Sequence, residues 1–276
     1  MLLILLVMML LYPFIEPYTL SVHTTHLEST DIPSSLRTLR IVYLSDLHTG
    51  SWPFYSKSRL TGLVRKINAQ NPDLVILGGD YADTPEGTEA FFRALPTIRS
   101  NYGIYAVLGE HDRSTDTEQM NLLRAAMVAK NVTPLINDVV SVRVGTDTII
   151  QIAGLDDVTE GDPTLTALSA KCQNERFVIF ACHNPKMIQD AQLAVDANGR
   201  RNWFDLGLFG HTHGGQNILF RKLLNIAPNV PDEYMHGIMT EGRATLIISN
   251  GIGTSVVPMR LLCPPEIHVI TVSYPS

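Results

Sequence analysis

Asp46 and His48 are separated by one residue. On an extended strand end, side chains two positions apart point the same way. A carboxylate oxygen and an imidazole nitrogen placed like that can reach one cation. His211 and His213 repeat the spacing, and Gly214-Gly215 behind them leaves room for a substrate or a turn. Asp80 follows Gly78-Gly79, glycines that let backbone and ligand approach closely. A carboxylate can bridge two cations, one per oxygen, which a neutral imidazole does not do. Gly109-Glu110-His111-Asp112 offers a further carboxylate and imidazole, and His183 precedes Asn184-Pro185. Each of these taken singly reads more simply as a solvated loop, a helix N-cap or a hydrogen-bonded histidine. Taken together they favour a metal site. Mixed carboxylate and imidazole donors without thiolate suit Mn, Fe or Zn and do not choose among them. Two such ions, roughly 3.5–4 Å apart, clamp a phosphate and activate a water.

The elements that must position these residues alternate. Arg40–Leu44 is an apolar strand running into Asp46-Leu47-His48. Leu60, Leu63, Val64 and Ile67 fall at helical spacing, and Asn71-Pro72 stops that helix. Leu74–Leu77 is a buried strand ending at Asp80. An amphipathic segment over 86–98 precedes strand 103–108, which ends in Glu110-His111, and a helix over 117–130 precedes strands at 139–144 and 149–153. Strand 177–181 runs into His183, and strand 206–209 into His211. The pattern predicts an α/β layered fold. In open sheets of this class ligands bind beyond the carboxyl ends of the strands. Five of the nine histidines (His48, His111, His183, His211 and His213) stand there.

Composition suits a globular enzyme, with 45% hydrophobic and 17% charged residues. A net charge of −6 and the lack of a basic block make nucleic acid an unlikely partner. Cys172, Cys182 and Cys263 form no CxxC pair and read as buried thiols, which places the catalytic domain in a reducing compartment, the cytoplasm. Every residue from Leu2 to Leu11 is aliphatic or Met. That run is shorter than the roughly 20 residues a spanning helix needs. It also lacks the basic n-region and nearby cleavage site of a secretory signal. The expected organisation is an N-terminal membrane anchor or signal-like segment over 1–18, a polar linker over 19–37 with room for an edge strand, and a catalytic domain over 38–276.

In order, Asp46-Leu-His48, Gly79-Asp80, Gly109-Glu-His-Asp112, His183 and Gly210-His-Thr-His213 resemble the calcineurin-like metallophosphoesterase superfamily. Gly210–Gln216, Gly251-Ile-Gly-Thr254 and Pro264-Pro-Glu-Ile267 are similar to its bacterial membrane-associated branch. The resemblance implies two packed mixed β-sheets flanked by helices and a dinuclear site at one sheet edge. It implies one ion on Asp46, His48, Asp80 and His213 and a second on Asp80, Glu110, His183 and His211. It also implies that His111 acts as general acid or charge stabiliser near the leaving group. Asp83 matches an acidic position that orients this histidine in related phosphatases. Glu110 departs from the pattern, which has Asn there. The amide normally binds the second ion and touches the phosphate, and glutamate adds negative charge where that anion docks.

The expected activity is hydrolysis of a phosphoester or pyrophosphate bond. The expected substrate is a phosphorylated small molecule or lipid, such as the lipid A precursor UDP-2,3-diacylglucosamine, which some superfamily members cleave. The alternatives are a phosphodiesterase or nuclease, and a scaffold that binds metal with weakened chemistry. Arg260 and Asn250 read as structural or surface residues more readily than as part of the cleft.

Overall fold

The computed structural model describes residues 10–50, 56–217, 223 and 226–275. Two six-stranded sheets carry the fold. The first consists of β1 (Ser21–Glu28), β2 (Leu39–Leu44), β3 (Leu74–Leu77), β4 (Ile104–Ala106), β5 (Val132–Pro134) and β12 (Glu266–Ser273), in the order β1-β12-β2-β3-β4-β5. The second consists of β6 (Asp138–Val144), β7 (Thr148–Gly154), β8 (Val178–Ala181), β9 (Leu206–Phe209), β10 (Gly237–Glu241) and β11 (Ala244–Ile248), in the order β10-β11-β9-β8-β7-β6. Both sheets are mixed. β2, β3, β4 and β5 run parallel, as do β7, β8, β9 and β11, whereas β12 is antiparallel to β2 and β6 to β7.

The period-two alternation of the strands splits their apolar residues between three cores. Ile41 and Tyr43 of β2 face Ile150 and Ile152 of β7, Ile179 of β8 and Leu208 of β9, forming the layer between the sheets. Val42 and Leu44 face the other way, onto α1 (Lys57–Ala69), α2 (Pro85–Ala94) and α3 (Thr117–Val128). Phe180 and Phe209 point out of the second sheet, toward Trp203 and the short helices α4 (Leu165–Ser169) and α5 (Ile188–Leu193). The result is helix, sheet, sheet, helix. α2 ends at Ala94, earlier than the amphipathic pattern alone predicts, because Leu95 precedes Pro96 and leaves the helical region (φ −58°, ψ 121°).

Within the stretch read as a linker, residues 21–28 form edge strand β1, parallel to β12. Residues 10–15 are helical and lead into a 3₁₀ turn at Glu16–Tyr18. Leu2–Met9 of the apolar run lie outside the described residues. Among the described residues no helix is long and apolar enough to cross a membrane.

Candidate metal centre

The parallel strands of both sheets end at one edge of the molecule, and the chain turns there abruptly. Asp46 (φ 53°), His48 (φ 44°), Asp80 (φ 54°), His211 (φ 67°) and His213 (φ 50°) all adopt left-handed backbone. Asp and His tolerate that region better than most residues, yet five instances at one edge are costly. Backbone bonds over-determine these turns. Asp46 N–H donates to Gly79 O at 2.9 Å, His48 N–H to Asp80 O at 3.1 Å, and Gly210 N–H to His183 O at 2.8 Å. The two sheets are joined where His211 N–H donates to Asp46 Oδ1 at 2.9 Å.

Seven side chains from these turns converge. Donor atoms of Asp46, His48 and His213 lie within 4.8 Å of one another, as do those of Glu110, His183 and His211, and those of Asp46, Asp80 and His183. Asp80 stands between the two halves, with Oδ2 3.7 Å from His48 Nε2 and 3.3 Å from His183 Nε2. Glu110 Oε1 is 2.8 Å from His211 Nδ1. The distant motifs therefore meet in one cage.

The chemistry of that cage fits cations. Asp46 Oδ2, Glu110 Oε2, His183 Nε2 and His211 Nδ1 are buried without a contact of hydrogen-bond geometry, and the last three stand at ion-pair distance from other members of the cage. Orphaned buried polar atoms are costly, and a cation satisfies oxygen and nitrogen lone pairs together. The tautomers agree. His183 Nδ1 lies 2.7 Å from Gly78 O, an acceptor only, so that nitrogen carries the proton and Nε2 turns its lone pair inward. Burial disfavours charge on His183, but Asp80 and Glu110 beside it hold its pKa well above the ordinary imidazole value. Burial likewise opposes ionisation of Asp80, yet His183 and His48 keep its carboxyl below the usual range. A cation must displace the proton these groups share, so metal affinity falls as pH falls.

Glycine makes room. A Cβ at Gly109 would lie 2.2 Å from Asp80 Oδ1 and 2.8 Å from His183 Nε2. Gly109 has φ −101°, which any residue adopts, so only this collision opposes a side chain. Gly109→Ala is therefore expected to lower turnover about a hundredfold by displacing donors by an ångström or so, with little change in melting temperature. A variant that keeps parental turnover would show that the collision is relieved without moving Asp80.

A second ring of residues holds the first. The buried Asp112 carboxylate accepts from Asp80 N–H (2.7 Å), Tyr81 N–H (3.0 Å), Gly109 N–H (2.9 Å) and Thr88 Oγ1 (2.6 Å), which fixes the Asp80 and Glu110 turns to each other. Asp83 Oδ1 lies 2.7 Å from His48 Nδ1. Its carboxylate stands behind His48 and sets that ring's tautomer with Nε2 inward. Asp83→Ala is expected to weaken metal binding about 10–100-fold, read by calorimetric titration of Mn²⁺. Unchanged affinity would show that His48 is oriented by other contacts. His111 lines the mouth of the cleft; its N–H donates to Asp80 Oδ1 at 3.1 Å, and its ring centroid is 5.2 Å from that of His48.

Two residues matter more than the sequence suggests. Arg260 is fully buried, bonds to the carbonyls of Gly253, Cys263 and Asn250, and places Nη2 3.4 Å from His213 Nδ1. Gln216, also fully buried, uses its amide to bind both carbonyls of a neighbouring loop, at Ser255 and Val257. Gln216 lies in the same run as His211, so its proximity was visible, but its partners lie forty residues on. The open cleft is small, about 210 Å³, and beside the cage it is lined by Ile226, Ala227, Pro228 and Val256.

Comparison with known proteins agrees with this geometry. The calcineurin-like phosphoesterase family pattern matches residues 39–215. The chain is 27% identical to the metallophosphoesterase YkuE of Bacillus subtilis over 261 residues, 94% of this chain and 87% of that one. It is 28% identical to the phosphodiesterase YaeI of Escherichia coli over 84% of this chain and 81% of that one. It is 29% identical to a bovine transmembrane protein with a metallophosphoesterase domain, over 86% of this chain and 53% of that protein.

Proposed function

We propose, on the premise that this chain belongs to the calcineurin-like phosphoesterases and is a metal-dependent hydrolase of phosphoester bonds, that it cleaves a phosphodiester or pyrophosphate in an amphiphilic substrate at a two-ion site. The observation that carries this reading is the cage of seven side chains, four of whose buried oxygen and nitrogen atoms lack a hydrogen-bond partner. Asp46, His48, Asp80 and His213 would hold one ion, and Asp80, Glu110, His183 and His211 the other; Mn, Fe and Zn suit the donors equally. Bound divalent cations supply Lewis acidity toward the phosphate and acidify a water.

The chain's own residues do the rest. His111, which lines the cleft, would donate a proton or hydrogen bond to the leaving oxygen. Asp83 and Gly78 O orient His48 and His183. Ile226, Pro228 and Val256 give the cleft an apolar wall, which favours a substrate with an apolar part beside its phosphate, of the kind UDP-2,3-diacylglucosamine represents. The apolar N-terminal run would hold the enzyme at a membrane, with the catalytic domain on the cytoplasmic side. YaeI bears the name phosphodiesterase and the bovine relative the name transmembrane protein, which supports both parts by similarity alone.

Glu110 favours one competing reading, a metal-binding scaffold with weakened hydrolysis. A panel of bis-p-nitrophenyl phosphate, p-nitrophenyl phosphate, UDP-2,3-diacylglucosamine and single-stranded DNA, run with Mn²⁺, Zn²⁺ and Mg²⁺, separates the readings. Turnover of the amphiphilic diester above the soluble ones is the expected result. Two bound ions without turnover of any substrate would favour the scaffold, and preference for DNA would favour a nuclease.

A further inference from the structure

The loop over residues 253–263 carries two apolar side chains that nothing in the core explains. Val256 has φ 62° and is 73% exposed; Leu262 has φ 57° and is 60% exposed. A branched residue in left-handed backbone is strained, and such strain persists only where the surroundings impose it. They do so here. Gln216 donates from its side-chain amide to Ser255 O and Val257 O and accepts from Ser255 N–H, all at 2.7 Å, while its own carbonyl accepts from Leu261 N–H at 2.9 Å. The Arg260 guanidinium pins the inside of the loop to Gly253 O. The two exposed residues are thus held outward by buried polar staples.

The same loop is fastened to the N-terminal segment. Arg260 N–H donates to Pro13 O at 2.9 Å, and the buried Glu16 carboxylate accepts from Leu262 N–H at 2.9 Å and Cys263 N–H at 2.5 Å. That segment exposes Leu10 (61%), Leu11 (53%), Phe14 and Ile15, and it continues the aliphatic run from Leu2. At its other end the loop borders the cleft, which Val256 lines together with His211 and His213.

We propose that Val256 and Leu262, with residues 10–15, form one bilayer-contacting rim, so that the mouth of the metal cleft lies at the lipid surface and receives an amphiphilic phosphoester without its apolar part crossing water. The inference rests on the membrane reading given under Proposed function and adds a second, loop-borne contact. The occupant is a lipid surface because the loop is hydrogen-bonded to the apolar N-terminal segment and shares its exposure. A surface that inserts apolar side chains at the headgroup boundary gains from each of them.

The three native cysteines are free and buried, so a single introduced cysteine takes an environment-sensitive dye selectively. Val256→Cys, Leu262→Cys and Leu11→Cys would be labelled in the full chain, with Val128→Cys, 61% exposed on α3, as a distant control. With phosphatidylcholine vesicles, emission at positions 256, 262 and 11 is expected to shift to the blue and to be quenched by nitroxide-bearing lipid, while position 128 stays unchanged. A shift at 11 with none at 256 and 262 overturns the rim and leaves the N-terminal anchor standing. No shift at any of the three overturns both. Mn²⁺-dependent hydrolysis of bis-p-nitrophenyl phosphate, measured on the unlabelled parent protein, reports separately on the phosphoesterase reading.

Discussion

Asp80→Asn is expected to lower phosphodiester turnover by at least about a thousandfold, a barrier increase of ~4 kcal/mol, with the fold intact. Asparagine suits the left-handed backbone at this position (φ 54°), and its side-chain oxygen can still accept from His111 N–H as Asp80 Oδ1 does. What it lacks is the second anionic oxygen. Asp80 lies between the two halves of the cage, with one carboxylate oxygen close to both His48 and His183. The measurement is metal stoichiometry by elemental analysis together with turnover of bis-p-nitrophenyl phosphate. One ion per chain and lost turnover is the expected pair of results. Two tightly bound ions with parental turnover would show that Asp80 does not bridge.

Glu110→Asn is expected to move activity the other way. Glu110 holds Oε1 2.8 Å from His211 Nδ1 and Oε2 3.3 Å from His183 Nε2, so its carboxylate is placed to serve the second ion. By the family resemblance, it would also set a negative charge where the phosphate docks. An amide keeps a ligand oxygen and removes that charge, so KM for an anionic diester should fall about tenfold, ~1.4 kcal/mol, with the second ion held less tightly. Glu110→Ala should lose the second ion altogether. Kinetics at saturating Mn²⁺, with occupancy checked in parallel, reads both effects. Unchanged metal binding in Glu110→Ala would remove this residue from the ligand set, and an unchanged KM in Glu110→Asn would place its charge away from the phosphate.

The residues of the cage were legible because each stands at the end of a short apolar strand, and strand ends are the part of an α/β fold that period-two patterning marks best. Asp46-x-His48 and His211-x-His213 announce themselves by spacing alone, and Gly78-Gly79 and Gly109 mark where the backbone must pass close to a neighbour. The strand pairing was less visible. Nothing in Ser21–Glu28 says that its partner is Glu266–Ser273, because register between distant strands depends on the whole sheet. Glu16 reads as the first charge after an apolar run, yet folded it is a buried acceptor for two backbone N–H groups. Arg260 is similar: a lone arginine in a loop looks solvated, and only the closure of that loop turns its five donors inward. Asp83 adds a contact that spacing does not announce, since its carboxylate lies against the His48 ring thirty-five residues back.

The pairing of β1 with β12 also bears on how the molecule is made. Strand β1 is the first described strand of the chain, and the neighbour that completes its ladder is the last described one to be synthesised. Glu16 waits equally long for Leu262 and Cys263. Between the synthesis of the two strands, an open edge and a carboxylate still lacking its donors follow an apolar segment, which leaves the growing chain exposed to association with others. The edge closes only when β12 is in place.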